Sequence, residues 1–338
     1  MAKDKGTKGA SKKSKKEPRN WAKTIIPLFL VFIMLGTAVA YVWGSNWGSK
    51  TDGGKGSSTK NAFGSVSDAL RLIPADAGYA RYIDLRNDTL LSNATNSYSW
   101  LKGSLPPSSI FKADPKIDLF AIYPSGYFSD YNGQFVSLTD FGTAYNKSWP
   151  DSTGSDYYHE LLSYYNIAAK KVNDNYYYTP STYPVVSGML ENMAPTAYVM
   201  SSGNTSLSAY GDYSDLFTEL KYKQIPIEGM TLEMVGLSSN LSYSDRYYAA
   251  IGPVDPSNQS QDRLYSYVVI MHVNNTTLLD SERGNLALLQ GMMEKSGFES
   301  YNTQVYGDYI VIEAKGTMAL CLEDMYYRWG FIKYQAAL

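Results

Sequence analysis

Residues 24–43, TIIPLFLVFIMLGTAVAYVW, form an apolar run without a charge. A helix rises about 1.5 Å per residue, so roughly 20 residues cross a hydrocarbon core ~30 Å thick. The run is therefore predicted to be a single transmembrane helix. Pro27 falls in its first turn, where a missing N–H does least harm. Trp21 stands near one end and Tyr41, Trp43 and Trp47 near the other, as interface anchors do. Lys23 can snorkel at the first boundary. Gly36, Ala40 and Gly44 recur every four residues and share one face. That spacing lets two membrane helices approach closely and predicts a homodimer; the plainer reading is that small residues are common in membrane helices.

The flanks orient the run. Residues 1–23 hold nine Lys/Arg against Asp4 and Glu17, a charge of +7, while the remainder carries −9. The positive-inside rule places the tail in the cytoplasm and everything after the run outside. A cleaved signal peptide ending at Ala38-Val39-Ala40 is the rival reading. The long basic region and long apolar run favour an uncleaved anchor, and both readings put the rest outside. An acidic exterior excludes a nucleic-acid surface. The tail's expected partner is the lipid headgroup layer.

Residues 1–20 are low-complexity Lys/Ser/Gly, and residues 44–60 are a Gly/Ser linker. From residue 61 onward, strand-like and helix-like patterns alternate. Strands are expected over 79–85, 117–123, 134–139, 197–200, 230–237, 247–251, 264–273 and 305–314, the last with Gly307-Asp308 as a turn or bulge near its start, and a strand pair within 167–178. Helices are expected over 89–101, 156–165, 185–193, 213–222, 281–296 and 318–329.

Short stretches recur. Ser163-Tyr164-Tyr165-Asn166 precedes Val172-Asn173-Asp174-Asn175-Tyr176, and Glu299-Ser300-Tyr301-Asn302 precedes Val305-Tyr306-Gly307-Asp308-Tyr309. Met-Leu-Glu-Asn-Met (189–193) and Cys-Leu-Glu-Asp-Met (321–325) follow them, and 74–79 parallels 194–198. These matches predict an α+β ectodomain of two copies, 61–193 and 194–338. Each copy would be a ferredoxin-like βαββαβ unit with helices on one face of an antiparallel sheet.

Ile73-Pro74-Ala75-Asp76-Ala77 opens the first strand behind the anchor and linker. This arrangement resembles an uncharacterised class of prokaryotic membrane-anchored proteins. The Tyr/Ser/Asn-rich exterior resembles archaeal surface proteins of methanogen type. The resemblance implies a surface location and no assigned activity.

Chemistry is sparse. His159, beside Glu160, and His272 are the two histidines, and no His-x-x-x-His, Cys-x-x-Cys or Gly-x-Ser-x-Gly occurs. No catalytic residue, metal ligand or cofactor-binding residue is assigned, and no cofactor is expected. The loop 255–262 offers oxygen ligands without EF-hand spacing and reads as an ordinary polar loop. Cys321 stands in an apolar context and reads as a buried thiol. Sequons begin at Asn87, Asn93, Asn146, Asn204, Asn240, Asn258, Asn274 and Asn275, as candidate glycosylation sites of an outside domain.

Tyrosine, 31 residues, is the compositional anomaly. Tyr157, Tyr158, Tyr176, Tyr178, Tyr247 and Tyr248 are the candidate surface for a protein or glycan partner. The alternative is that these rings fill half-buried strands. The function expected is a membrane-anchored, non-enzymatic binding or accessory component of the cell surface. A ligand-sensing ectodomain coupled through the membrane helix is the alternative, with an extracellular hydrolase third.

Overall fold

A computed structural model describes residues 62–86, 88, 91, 93–94, 101, 111, 113–123, 134–142, 157–158, 169–172, 175–178, 184–237, 242–258, 260 and 262–328. The apolar run 24–43, the basic tail and the linker lie outside the described residues. Among the described residues no helix is long and apolar enough to cross a membrane.

The core of the structure is one antiparallel sheet. Its strands are β1 (Tyr79–Asp84), β2 (Ile117–Tyr123), β3 (Gln134–Asp140), β4 (Tyr157–Tyr158), β5 (Ala169–Val172), β6 (Asn175–Tyr178), β7 (Val185–Gly188), β8 (Leu232–Leu237), β9 (Ser244–Pro253), β10 (Tyr265–Val273), β11 (Ser300–Tyr306) and β12 (Tyr309–Gly316). They lie in the order β11-β12-β10-β9-β8-β1-β2-β3-β7-β6-β5-β4. The helices are α1 (Val66–Ala69), α2 (Leu190–Ser202), α3 (Tyr210–Tyr222), α4 (Thr276–Lys295) and α5 (Met318–Glu323).

Both faces of the sheet are covered. On one face Ala80, Tyr82, Leu119, Ala121, Val235 and Tyr248 meet Val66 and Leu70 of the N-terminal segment, Met193 and Ala197 of α2, and Leu216 and Leu220 of α3. On the other, Ile83, Phe120, Met234, Val269 and Ile312 meet Leu91, Leu101, Leu286 and Met293 of α4, and Cys321 and Leu322 of α5. A strand covered on both sides must be apolar on both sides, and β2, IDLFAIY, is buried at all seven positions. The helices α1, α4 and α5 start where a side chain satisfies a free N–H group. Ser65 accepts from Asp68, Asn275 from Leu278 and Thr317 from Leu320.

The α+β class and the antiparallel sheet agree with the expectation from sequence; the strand order is not the ferredoxin-like one, and helices cover both faces of the sheet rather than one. The strands of both expected copies join in one sheet through β1 and β8, which pair from Tyr79↔Gly236 to Ile83↔Leu232. A ferredoxin-like unit interleaves its strands, whereas β1, β2 and β3 are consecutive antiparallel neighbours, as are β8, β9 and β10. The order outward from the β1–β8 seam is partly mirrored, and the repeated sequences 172–176 and 305–309 both form hairpins, β5–β6 and β11–β12. The helices break the mirror, because α2 and α5 pack on opposite faces. The proposed boundary at 193/194 falls inside α2.

Three element readings change. Residues 185–188 are a strand and α2 runs on through 197–200, with Pro195 inside it. Proline here forfeits one backbone bond, and Thr196 Oγ1 donates to the Asn192 carbonyl in the same turn, at 2.6 Å. The turn expected at Gly307-Asp308 is present: Gly307, at φ +54°, turns the chain between β11 and β12. Tyr157 and Tyr158 form β4 rather than a helix.

Two charged pairs are buried within the face that carries Phe120. Asp118 of β2 lies 3.8 Å from the Arg81 guanidinium of β1 and accepts the Ser137 and Thr139 hydroxyls of β3 at 2.6 and 2.7 Å. Burial pushes the Arg81 guanidinium down, opposed by Tyr79 and then Asp118. Asp88 pairs with Arg263, and it accepts the Leu91 N–H at 2.9 Å and the Tyr265 hydroxyl at 3.1 Å. Taking one partner from a buried pair strands the other charge. Asp118→Ala is therefore expected to lower stability by roughly 3–5 kcal/mol. Leu288→Ala, on the outer face of α4 and 68% exposed, should change it by no more than about 0.5 kcal/mol. Urea unfolding midpoints of the two variants check both values.

Candidate functional site

A part-buried polar constellation lies at one end of the α3-covered face. Three strands deliver it as a cross-strand row: His272 of β10 stands opposite Arg246 of β9 on one side and Tyr309 of β12 on the other. The register of β9 and β10 shifts between His272 and Val273, so that Val273 pairs with Ser244 and Asp245 is left as the extra residue of a bulge. A bulge re-aims side chains, and Asp245 Oδ1 here lies 2.8 Å from His272 Nδ1. The helix α3 adds Asp215, whose carboxylate is 3.1 Å from Arg246 and accepts the Tyr309 hydroxyl at 3.2 Å. Arg246 also lies 4.0 Å from Asp245. The His272 and Tyr309 rings meet edge to face at 5.4 Å.

Electrostatics follow from this packing. Burial, then the Asp215 carboxylate, pushes the Tyr309 hydroxyl up to about 12, so it stays a donor at neutral pH. Burial raises Asp212 as well, opposed by the Asp76 N–H that it accepts at 2.8 Å. In a neutral ring, a carboxylate on Nδ1 favours the tautomer with the proton on Nδ1, which makes Nε2 the acceptor. No described residue hydrogen-bonds Nε2. The arrangement can thus accept a hydrogen bond from a ligand, or a proton, at one oriented imidazole nitrogen. Arg246, Asp215 and Tyr309 are engaged with one another.

Next to it, the Ile73-Pro74-Ala75-Asp76-Ala77 opening is locked in place. Tyr123 and Tyr213 donate their hydroxyls to the Pro74 and Ala77 carbonyls, at 3.0 and 2.5 Å. Ala75 N–H bonds the Leu207 carbonyl at 2.9 Å, and Ala209 N–H bonds Ile73 at 3.0 Å. Asp76 takes a left-handed φ of +67°, and Asp212 holds its N–H. The motif that carried the resemblance is a structural clasp between α3 and β1.

The candidate partner surface is corrected in part. Tyr247 and Tyr248 are core residues, 1% and 0% exposed. The Tyr247 ring covers Gly236 on the neighbouring strand, where a Cβ would come within 2.7 Å of its hydroxyl. Tyr248 packs edge to face on Phe217 of α3, 5.6 Å away, and donates to Glu233. Tyr176 is half-buried against the same core. The side chains of Tyr157, Tyr158 and Tyr178 lie outside the described residues, as do His159 and Glu160. The tyrosines exposed among the described residues include Tyr222, at 75%, with Tyr198 and Tyr326.

Asn93, Asn204, Asn258, Asn274 and Asn275 are exposed. Asn204 accepts the Ser206 hydroxyl at 2.7 Å, and Asn275 caps α4. Asn87, Asn146 and Asn240 lie outside the described residues, as do Gly36, Ala40 and Gly44. Asp255 is folded back on Ser257, whose hydroxyl and N–H hold its carboxyl low. Cys321 is buried, and burial followed by Asp324 pushes its thiol well up. The thiolate is the nucleophile, so this thiol is inert.

The His272 row was half legible in sequence. A histidine closing the strand YVVIMHV could be singled out, but its carboxylate partner 27 residues earlier depends on a bulge. Tyr247→Ala is expected to cost roughly 3–5 kcal/mol, as large aromatic truncations in a core do. Tyr222→Ala should stay within about 0.5 kcal/mol of the parent. Arg246→Ala, which removes a pair that is one-third exposed, should cost about 1 kcal/mol or less. Thermal or urea denaturation of the three variants reads all of these.

Comparison with known proteins adds no family. No family model matches the chain, and no curated protein matches it. Among solved structures it is similar to TP0453. Crystal form III gives 12% identity over 75% of this chain and 95% of that one, with a TM-score of 0.42. Crystal form I gives 9% identity over 78% and 97%, also at 0.42.

Proposed function

We propose that this chain is a single-pass membrane protein, N-terminus in and C-terminus out, whose ectodomain works by binding a surface protein or glycan. One observation carries the reading. An uncharged run at 24–43 separates a tail of charge +7 from a remainder of charge −9, the asymmetry that fixes orientation in a bilayer. The exposed sequons Asn204, Asn258, Asn274 and Asn275 support an outside location. Helix pairing through Gly36, Ala40 and Gly44 is part of the proposal. A second reading, a ligand-sensing ectodomain, draws support from the oriented His272 beside Asp245.

The inert, buried Cys321 makes a topology test clean. Single cysteines are introduced as Ser14→Cys in the tail and Ser57→Cys beyond the apolar run. A membrane-impermeant thiol reagent is expected to label Ser57→Cys on intact cells and Ser14→Cys only after lysis. Labelling of Ser14→Cys on intact cells would overturn the orientation. Crosslinking in native membranes followed by mass spectrometry then separates the two readings. A stoichiometric macromolecular partner supports the accessory role, and recovery of the chain alone moves the reading to a small ligand.

A further inference from the structure

The Glu233 carboxyl of β8 is buried beneath the first segment of the domain, in contact with neither bulk water nor a cation. Its Oε1 accepts the Val66 N–H of α1 at 3.2 Å, and its Oε2 accepts the Tyr248 hydroxyl of β9 at 3.0 Å. Directly across the seam stands Tyr82 of β1, whose buried hydroxyl has no hydrogen-bond partner among the described residues. The segment above is held by apolar contacts of Phe63, Val66, Ala69 and Leu70. Its polar ties are the Val66 bond and the Arg71 guanidinium, 3.5 Å over the Tyr210 ring. Its far end is fixed, because Ile73 and Ala75 are bonded to Ala209 and Leu207. Any lifting of the segment therefore hinges at that end.

We propose that Glu233 is a proton-binding site that clasps residues 63–72 to the sheet, so that the segment closes on the protonated carboxyl and opens when the proton leaves. In the closed form the Glu233 carboxyl is neutral, with Oε1 accepting the Val66 N–H and Oε2 still accepting the Tyr248 hydroxyl. Loss of the proton places a bare negative charge between Tyr82, Tyr248 and the core. Lifting α1 is the route by which water reaches it.

The groups facing the site leave that charge uncompensated. Asp68 on α1 is a like charge; Tyr248 on β9 is a neutral donor; Tyr82 on β1 is neutral and donates to no described residue; and Phe217 of α3 packs on Tyr248. Asp84 and Arg86 act on Tyr82, and they form a bidentate pair with each other. Burial pushes the Glu233 carboxyl up to about 8, against the opposing bonds from Tyr248 and Val66. A folded value above the unfolded one means that closure takes up a proton. Its contribution is complete at acid pH and is lost as pH rises towards about 8.

Hydrogen exchange of the full chain in detergent micelles, read by mass spectrometry and corrected for intrinsic exchange, tests the clasp. Protection of residues 62–73 is expected to fall by about tenfold per pH unit between pH 6.5 and 8, as linkage to one proton requires. Glu233→Gln keeps an oxygen for Val66 but has no charge to form, so its profile should be flat. Tyr248→Phe removes a bond that favours the charged form, and its midpoint should move to higher pH. The same pH profile in parent and Glu233→Gln overturns the proposal, as does loss of protection spread evenly over the whole domain. If Glu233→Gln does not fold, an unmoved midpoint in Tyr248→Phe overturns it.

Discussion

The structure depends on the pairing of β1 with β8. These strands are some 150 residues apart in sequence and adjacent at the middle of the sheet. The pairing turns two strand groups into one twelve-stranded sheet, and both faces of that sheet are then buried by helices. The seam also concentrates the polar difficulties of the fold. Arg81 and Glu233 sit on it, on opposite faces, and each needs partners from other strands or helices. A polar group in such a place costs several kcal/mol unless bonded, so the seam positions select for a pair or a proton.

The polar groups of the domain fall into two kinds. Arg81–Asp118 and Arg263–Asp88–Tyr265 are enclosed and hold strands or loops in register. The His272 row is open, because it stands where the sheet ends and α3 begins. Buried networks specify one arrangement of the core. An open row with a free imidazole nitrogen has capacity left for something outside the chain. The outside location proposed for the domain gives that capacity a use.

Much of the strand layout was legible in the sequence, because short apolar runs bounded by turn residues, such as IDLFAIY and YVVIMHV, fit buried strands; that helices cover both faces of the sheet, rather than the one face expected, was not. The misreadings have identifiable sources. The sequence reading parted a helix over 185–193 from a strand over 197–200, yet α2 runs through Pro195, with the turn around it held by Thr196 and by packing of Met193, Ala197 and Met200. The tyrosine clusters looked like a sticky surface, yet Tyr247 is needed to cover Gly236 and Tyr248 to bond Glu233. For the tyrosines the deciding neighbours, Gly236 and Glu233, are on another strand, out of reach of any local window; at Pro195 the bond to Asn192 is local and the packing is not.

The sequence by itself determined the quantities that sum along the chain: the charge of +7 ahead of the apolar run and −9 behind it, the length of that run, the apolar context of Cys321, and the alternation of strands and helices. These follow from hydropathy and charge, which each residue carries wherever it is placed. Only the tertiary structure decided that the two halves share one sheet, that α2 and α5 take opposite faces, that a bulge turns Asp245 onto His272, and that Glu233 lies beneath α1. Each of these is a matter of register between distant strands. A shift of one residue exchanges the two faces of a strand, so the face that a side chain occupies is fixed only when the partner strand is in place.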